Sequence, residues 1–268
     1  LFNGGIYFIG KQNYQQAYAL LDQYISAADL PMFKSYNYSS KDKHLPEAAY
    51  WAAYCGYKTH DAKKVLHNTY LALKDKDHHE SMMQYLVATY MLEKDTARSV
   101  EALKEGFRAY PKSNYFYAHL MDYYSGKADW KKATELTNEA LKADSANLTV
   151  WLAQSTLLIN TGDYEHSFLI ADSLVKRDST MAEAWLNAGL AKYNLGVNLD
   201  KNSQTLKQKR QQTLRYYKEA LPYLEQYRKL EPQNTDKWAL PLYTIYLNLN
   251  MGKQFDEIDK ILNGKPKS

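Results

Sequence analysis

Residues 151–174 read "WLAQSTLLINTGDYEHSFLIADSL". Two runs with helical spacing of apolar residues flank the break Thr161-Gly162-Asp163-Tyr164. The break is either a loop that presents Asp163, Glu165 and His166 for chemistry or the turn of a repeated helical hairpin. The rest of the chain decides between them.

With Trp151 as position 4 of a unit, Gly162 is position 15, Tyr164 position 17 and Ser167 position 20. Stepping back 34 residues, the same slots hold Tyr117, Ala128, Trp130 and Ala133. A second step gives Met83, Lys94, Thr96 and Ser99, and a third gives Ala49, His60, Ala62 and Val65. One step forward puts Trp185 and Gly196 in slots 4 and 15. Five first helices share one register without slippage, which is the signature of a repeat array.

Two insertions complete the frame. After Gly196 the pattern returns 19 residues late as "YYKEALPYLEQYRKLEP", with Tyr217, Ala220, Leu224, Tyr227 and Pro232 in slots 17, 20, 24, 27 and 32. Trp238 then takes slot 4 of the last unit, whose hairpin reads as one helical turn longer, with Phe255 and Ile258 in slots 17 and 20. At the other end Tyr14, Ala17, Leu21 and Tyr24 fill slots 17, 20, 24 and 27 of a first unit. The stretch "LPMFKSYNYSSKDKHL" separates it from the second, so the insertions fall near 30–44 and 197–215. Both are expected in turns, where each doubling of loop length costs only about 0.6 kcal/mol.

Composition agrees with an all-α reading. Glycine (11) and proline (7) are scarce among 268 residues, which disfavours a turn-rich β protein and disorder alike. A net charge of +4, from 34 basic and 30 acidic residues, is too small to imply a nucleic-acid partner or a membrane surface. No apolar run approaches the ~18–20 residues that span a bilayer. The single cysteine, Cys55, rules out an internal disulfide and leaves the compartment open. The chain starts at Leu1 with no signal-peptide pattern, and trimming of an upstream segment is expected. Tyrosine is the anomaly, at 25 residues.

The opening break reads as a turn. Asp163 stands where its carboxylate can accept from the orphan N–H groups that start the second helix, and Asp129, Asp95 and Asp61 recur in the same slot. The other chemistry-bearing stretches are weaker. In "DKDHHE", Asp75 to Glu80, the adjacent His78 and His79 diverge on a helix and lack a further ligand at metal spacing. His60 and His67 have no carboxylate at i+4, and Cys55 lies mid-helix without a group to activate it. No phosphate loop, dinucleotide fingerprint, zinc-protease helix or nucleophile elbow is present. No catalytic residue, metal or cofactor is therefore expected. "KNSQTLKQKRQQTLRYYK", residues 201–218, carries Lys201, Lys207, Lys209, Arg210, Arg215 and Lys218 and no acid. It reads as a solvated extension of the helix that follows, with contact to an acidic partner as the alternative.

The whole pattern resembles the tetratricopeptide repeat (TPR) family. That family carries a large residue at 4, small residues at 8 and 20, an aromatic at 11 or 17, and proline at 32. Trp151, Trp185, Trp238, Gly189, Tyr90, Tyr124, Trp130, Tyr164, Tyr217, Ala133, Ala220, Pro111 and Pro232 carry the resemblance here. The second unit departs from it, with Gly56 in slot 11 and Thr69 in slot 24. The resemblance implies a right-handed all-α solenoid of about seven hairpins, a single array over 1–268. It also resembles a group of bacterial multi-TPR proteins, many exported, which slightly favours the cell envelope or periplasm over the cytoplasm.

Slots 2, 5, 9, 12 and 13 lie roughly 140° from the packing slots 4, 7, 8 and 11 of each first helix. In TPR-like arrays they line the concave groove. Only five of these thirty positions are charged, and the second unit reads Glu47, Tyr50, Tyr54, Tyr57 and Lys58. Two readings stay open: these side chains pack between adjacent first helices, or they form a contact surface for which tyrosine is suited. The second leads to a non-enzymatic scaffold that holds a peptide or protein. Its anchors are Tyr50, Tyr54, Tyr57, Gln84, Tyr115, Asp122, Tyr193, Tyr243 and Tyr246, with hydrogen bonds from Asn160 and Asn194. The family's carboxylate clamp needs Lys and Asn in slots 5 and 9, where this chain has Tyr50 and Tyr54. A self-assembling structural protein and a polysaccharide-binding accessory module are the alternatives.

Overall fold

The computed structural model describes residues 1–201 and 206–263, and within them helices alternate with short turns and no strand occurs. In chain order the hairpins are α1 (Phe2–Gly10) with α2 (Tyr14–Ala27), then, after a short α3 (Tyr38–Lys41), α4 (His44–Lys58) with α5 (Ala62–His67) and α6 (Thr69–Ala72). Next come α7 (His79–Leu92) with α8 (Thr96–Ala109), and α9 (Asn114–Gly126) followed by α10 (Trp130–Ala143). The chain continues as α11 (Leu148–Thr161) with α12 (Tyr164–Arg177), α13 (Ala182–Lys201) with α14 (Leu206–Leu230), and α15 (Thr235–Asn248) with α16 (Gly252–Asn263). Two compact units divide the chain, Leu1–Gly126 and Lys127–Ser268.

The turns show why the register holds. Gln12, His60, Lys94, Ala128, Gly162 and Asn250 all take a left-handed backbone, with φ between 52° and 87°. The next residue closes the helix with a bond to the carbonyl five residues back: Asn13 to Phe8, Asp61 to Gly56, Asp95 to Tyr90, Asp163 to Leu158 and Met251 to Tyr246, each 2.9 Å. That same residue then starts the second helix. Asn13, Asp61, Asp95, Asp129 and Asp163 accept from the backbone N–H three residues on. The opening break is this turn.

A left-handed conformation costs an L side chain roughly 1–2 kcal/mol, and only Gly162 escapes it. Lys94→Gly is expected to stabilise the protein by about 1 kcal/mol in urea denaturation. A loss of stability would show that the turn is not left-handed there.

The caps also predict acid sensitivity. Hydrogen bonds from the Arg98 backbone and guanidinium hold Asp95 below its usual range, and those from the Lys132 ammonium and backbone do the same for Asp129. A depressed folded-state pKa contributes stability above the unfolded value of about 3.9, lost as pH falls through the folded value. Asp95→Asn/Asp129→Asn keeps the capping oxygens without the charge. It is expected to lose less stability than the wild type on acidification below about pH 4, measured as Tm against pH.

Small residues set the helix spacing. A Cβ on Gly189 would lie 2.6 Å from Leu224 Cγ and 3.2 Å from its backbone nitrogen, so α13 and α14 touch there. Gly56, out of pattern in the sequence, has a similar role: a Cβ would meet the Val65 backbone nitrogen at 2.7 Å. The second helix of that unit is broken between α5 and α6 at Asn68, whose side chain donates to Asp22 of α2 at 3.2 Å.

Two expectations change. The second insertion is not confined to a turn: α13 runs on for 20 residues and α14 for 25, so the inserted residues mainly lengthen both helices. Residues 202–205 of the basic stretch lie outside the described residues, as does the side chain of Lys201. The last hairpin is not a turn longer. α15 has 14 residues, the same as α11, and its left-handed residue falls at 250 rather than 249. The first insertion does sit between hairpins, as a 3-10 turn (Pro31–Tyr36) followed by α3.

In the first unit Ala17 and Leu21 pack on Ala48, Ala52 and Cys55. Burial pushes the Cys55 thiol up to about 12, so it is a packed, unreactive thiol. In the second, Trp238, Tyr227, Leu224, Leu242, Tyr246 and Ile258 belong to one core.

Candidate functional site

The first helices of the second and third hairpins, α4 and α7, carry an aromatic layer. The Tyr57 and Tyr85 rings stack at 4.6 Å, Tyr54 lies 6.0 Å from Tyr85, and Tyr14 of α2 meets Tyr54 edge-on at 5.9 Å. Beneath them Tyr50 stacks on His78 at 4.2 Å and its hydroxyl lies 3.3 Å from that of Tyr85. Tyr115 of α9 donates to the Gln84 carbonyl at 3.3 Å. Burial raises the hydroxyl pKa values of Tyr54, Tyr85 and Tyr115, the last to about 12, with Tyr57 adding to it. These hydroxyls therefore stay neutral and act as hydrogen-bonding groups.

The layer has an open end. Tyr57 is 37% exposed, Met91 41% and Leu92 53%. Leu92 and Tyr57 line a pocket of about 190 Å³ with Gly56, Val65 and Ala88. Met91 lines a second, of about 300 Å³, with Val100, Leu103, His119 and Tyr123. Adjacent residues at the end of α7 thus join two apolar hollows on one unit.

The expected anchors separate on inspection. Six belong to the first unit. Tyr54 is half-buried and Tyr57 exposed, Gln84 and Tyr115 are half-buried, and Asp122 is exposed. Tyr50 has to be corrected: at 4% exposure it is covered by Trp51, His78 and Tyr85 of its own chain. The Gln84 side chain reaches Glu80 at 3.5 Å. Five belong to the second unit. Asn160 is exposed and Asn194 half-buried. Tyr193 stacks on Tyr217 at 5.8 Å and its hydroxyl contacts Thr244 at 3.4 Å, while Tyr243 packs on Phe255 at 4.7 Å. Tyr246 is also corrected to a core residue, 1% exposed, its hydroxyl donating to Glu225 at 3.1 Å.

The two adjacent histidines turn to separate partners. His78 Nδ1 lies 2.7 Å from the buried Asp75 carboxylate, and His79 Nδ1 lies 2.8 Å from the Tyr110 hydroxyl. His67 sits 3.6 Å from Asp22. Slot 6 was missed. It holds Trp51, Tyr85 and His119, all on the aromatic face, and 100° per residue places slot 6 about 20° from slot 13. That signal was available.

Comparison with solved structures agrees with this architecture. The C-terminal part of a TPR repeat-containing protein from Cytophaga hutchinsonii superposes over 100% of this chain and 97% of its own, with a TM-score of 0.63 at 12% identity. The fold is that of a TPR solenoid. The human IFIT1 dimer solved with m7Gppp-AAAA matches 92% of this chain with a TM-score of 0.54, also at 12% identity. There the TPR-like chain described here spans 59% of the longer protein. No family model matches the sequence, and no curated protein does. Slots 12 and 13 fall at the ends of α4 and α7, where Tyr57, Met91 and Leu92 stand. No helix among the described residues is long and apolar enough to cross a membrane.

Proposed function

We propose that the protein is a non-enzymatic interaction scaffold and that the aromatic face of its first unit holds a peptide segment of a partner protein. One observation carries this reading: Tyr57, Met91 and Leu92 are large apolar side chains left in solvent between two apolar hollows. Leaving such surface wet forgoes roughly 25 cal/mol per Å² of burial, and clustered exposure of this kind marks interaction sites. Tyr54, Tyr85 and Tyr115 form a rigid backing, so little conformational entropy is lost when a side chain docks on them. Apolar side chains of an extended or helical segment would enter the hollows, and Tyr57 would cover them.

Peptides selected from a displayed random library against the whole protein provide the test. Tyr57→Ala is expected to weaken a selected peptide by roughly 2 kcal/mol or more, as for an interface hot spot, and Leu92→Ser to weaken it less. Far-UV circular dichroism should be unchanged in both. If every selected peptide binds both variants as tightly as the wild type, the face is not the site.

A further inference from the structure

The first insertion builds a separate hollow on the first unit. Phe33 and Tyr38, whose ring centroids lie 5.7 Å apart at 69°, give it two nearly perpendicular aromatic walls. Tyr36 stacks on Tyr38 at 5.5 Å and 10° without joining the lining. Tyr24, Ala27, Ala28 and Asp42 complete the lining, and the volume is about 340 Å³, near the lower end for small-molecule sites. Asp42 is held in place: Oδ2 accepts from the Tyr24 hydroxyl at 2.5 Å and Oδ1 from the His44 backbone N–H at 2.9 Å. Burial, and then that hydrogen bond, push the Tyr24 hydroxyl up to about 12, so it remains a donor.

Three features give this hollow a negative character. The ring faces carry the negative lobe of the aromatic quadrupole. The Asp42 carboxylate is part of the wall. Ala27 and Ala28 lie at the C-terminal end of α2, the negative end of its dipole, whose last turn has no basic residue to offset it. None of the described lining residues is basic.

We propose that this hollow binds an alkylated ammonium cation, with Phe33 and Tyr38 as the cage and Asp42 as the counter-charge. Perpendicular rings meet a roughly spherical head on two sides, whereas a sugar ring stacks on one flat face. A methylated ammonium needs charge and ring faces rather than hydrogen-bond acceptors. That suits a carboxylate whose two oxygens already accept from Tyr24 and His44. The repeat pattern requires none of Phe33, Tyr36 or Tyr38, which lie between hairpins.

The test is calorimetric titration of the full chain with choline chloride, with its uncharged isostere 3,3-dimethyl-1-butanol, and with glucose. Saturable choline binding is expected, with the isostere weaker by about tenfold or more and glucose silent. Tyr38→Leu and Asp42→Asn should each weaken choline by about tenfold, while Tyr70→Ala, an exposed aromatic on α6 outside the lining, should leave it unchanged. Circular dichroism confirms that the variants fold, and Asp42→Asn retains an acceptor for Tyr24. Equal binding of choline and the isostere would reduce the site to an apolar hollow and overturn the proposal. So would glucose binding in place of choline, absence of saturation, or variants that bind choline like the wild type.

Discussion

Trp238→Ala is expected to destabilise the protein by about 3–5 kcal/mol, the range for emptying an aromatic site in a packed core. The indole is 2% exposed and belongs to the core that α13, α14, α15 and α16 build together. Its N–H donates to the Glu231 carbonyl at 3.2 Å, and the Arg228 guanidinium lies over the ring at 4.9 Å. Alanine leaves a cavity, a Glu231 carbonyl that keeps only its bond from the Asn234 N–H, and a cation without its ring. In an array whose hairpins rest on their neighbours, the loss should appear first as local opening of α15 and α16. Hydrogen exchange reads this directly: protection in these helices should fall well before that of α2 and α4. A change below about 1 kcal/mol would mean that Trp238 is not packed as described.

Phe116→Ala is expected to cost a similar ~3–5 kcal/mol in the first unit. Phe116 is fully buried, and its ring occupies the space that Gly106 of α8 leaves by having no side chain. A Cβ on Gly106 would stand 2.5 Å from the ring's Cδ1. Gly106→Ala alone should therefore cost about 1–3 kcal/mol by overpacking. In a Phe116→Leu background that cost should shrink, because the shorter side chain makes room for the methyl. A double-mutant cycle measures the coupling, and additive losses would show that the two residues do not share the site.

Much of this architecture was legible in the sequence because a local rule repeats. The aspartate that starts each second helix, at 61, 95, 129 and 163, needs only its own turn to act, so its slot marks the register wherever the chain is read. Small residues at sites of close approach behave the same way. Even Gly56, which broke the pattern, proved to be a site where α4 meets backbone.

What stayed hidden depends on neighbours. Tyr50 and Tyr54 stand in equivalent wet-face slots, yet His78 and Tyr85 close over Tyr50 and leave Tyr54 half-exposed. Tyr246 was drawn into the core by the one-residue shift of the last hairpin and by Glu225. In the first insertion, Phe33, Tyr36 and Tyr38 follow no period, so only coordinates bring their rings together. The length of α13 and α14 was masked because inserted residues with helical spacing look like a loop when counted against a fixed repeat.

Backbone NMR assignment tests the in-register hairpins most directly, since carbon shifts report helix limits and intraresidue amide–Hα contacts report left-handed residues. Helical shifts should stop at each turn, with left-handed geometry at residues 12, 60, 94, 128, 162 and 250, and should run unbroken from 182 to 201. Strand shifts, or left-handed residues other than these and Asn37 of the first insertion, would contradict the repeat from which everything else is built.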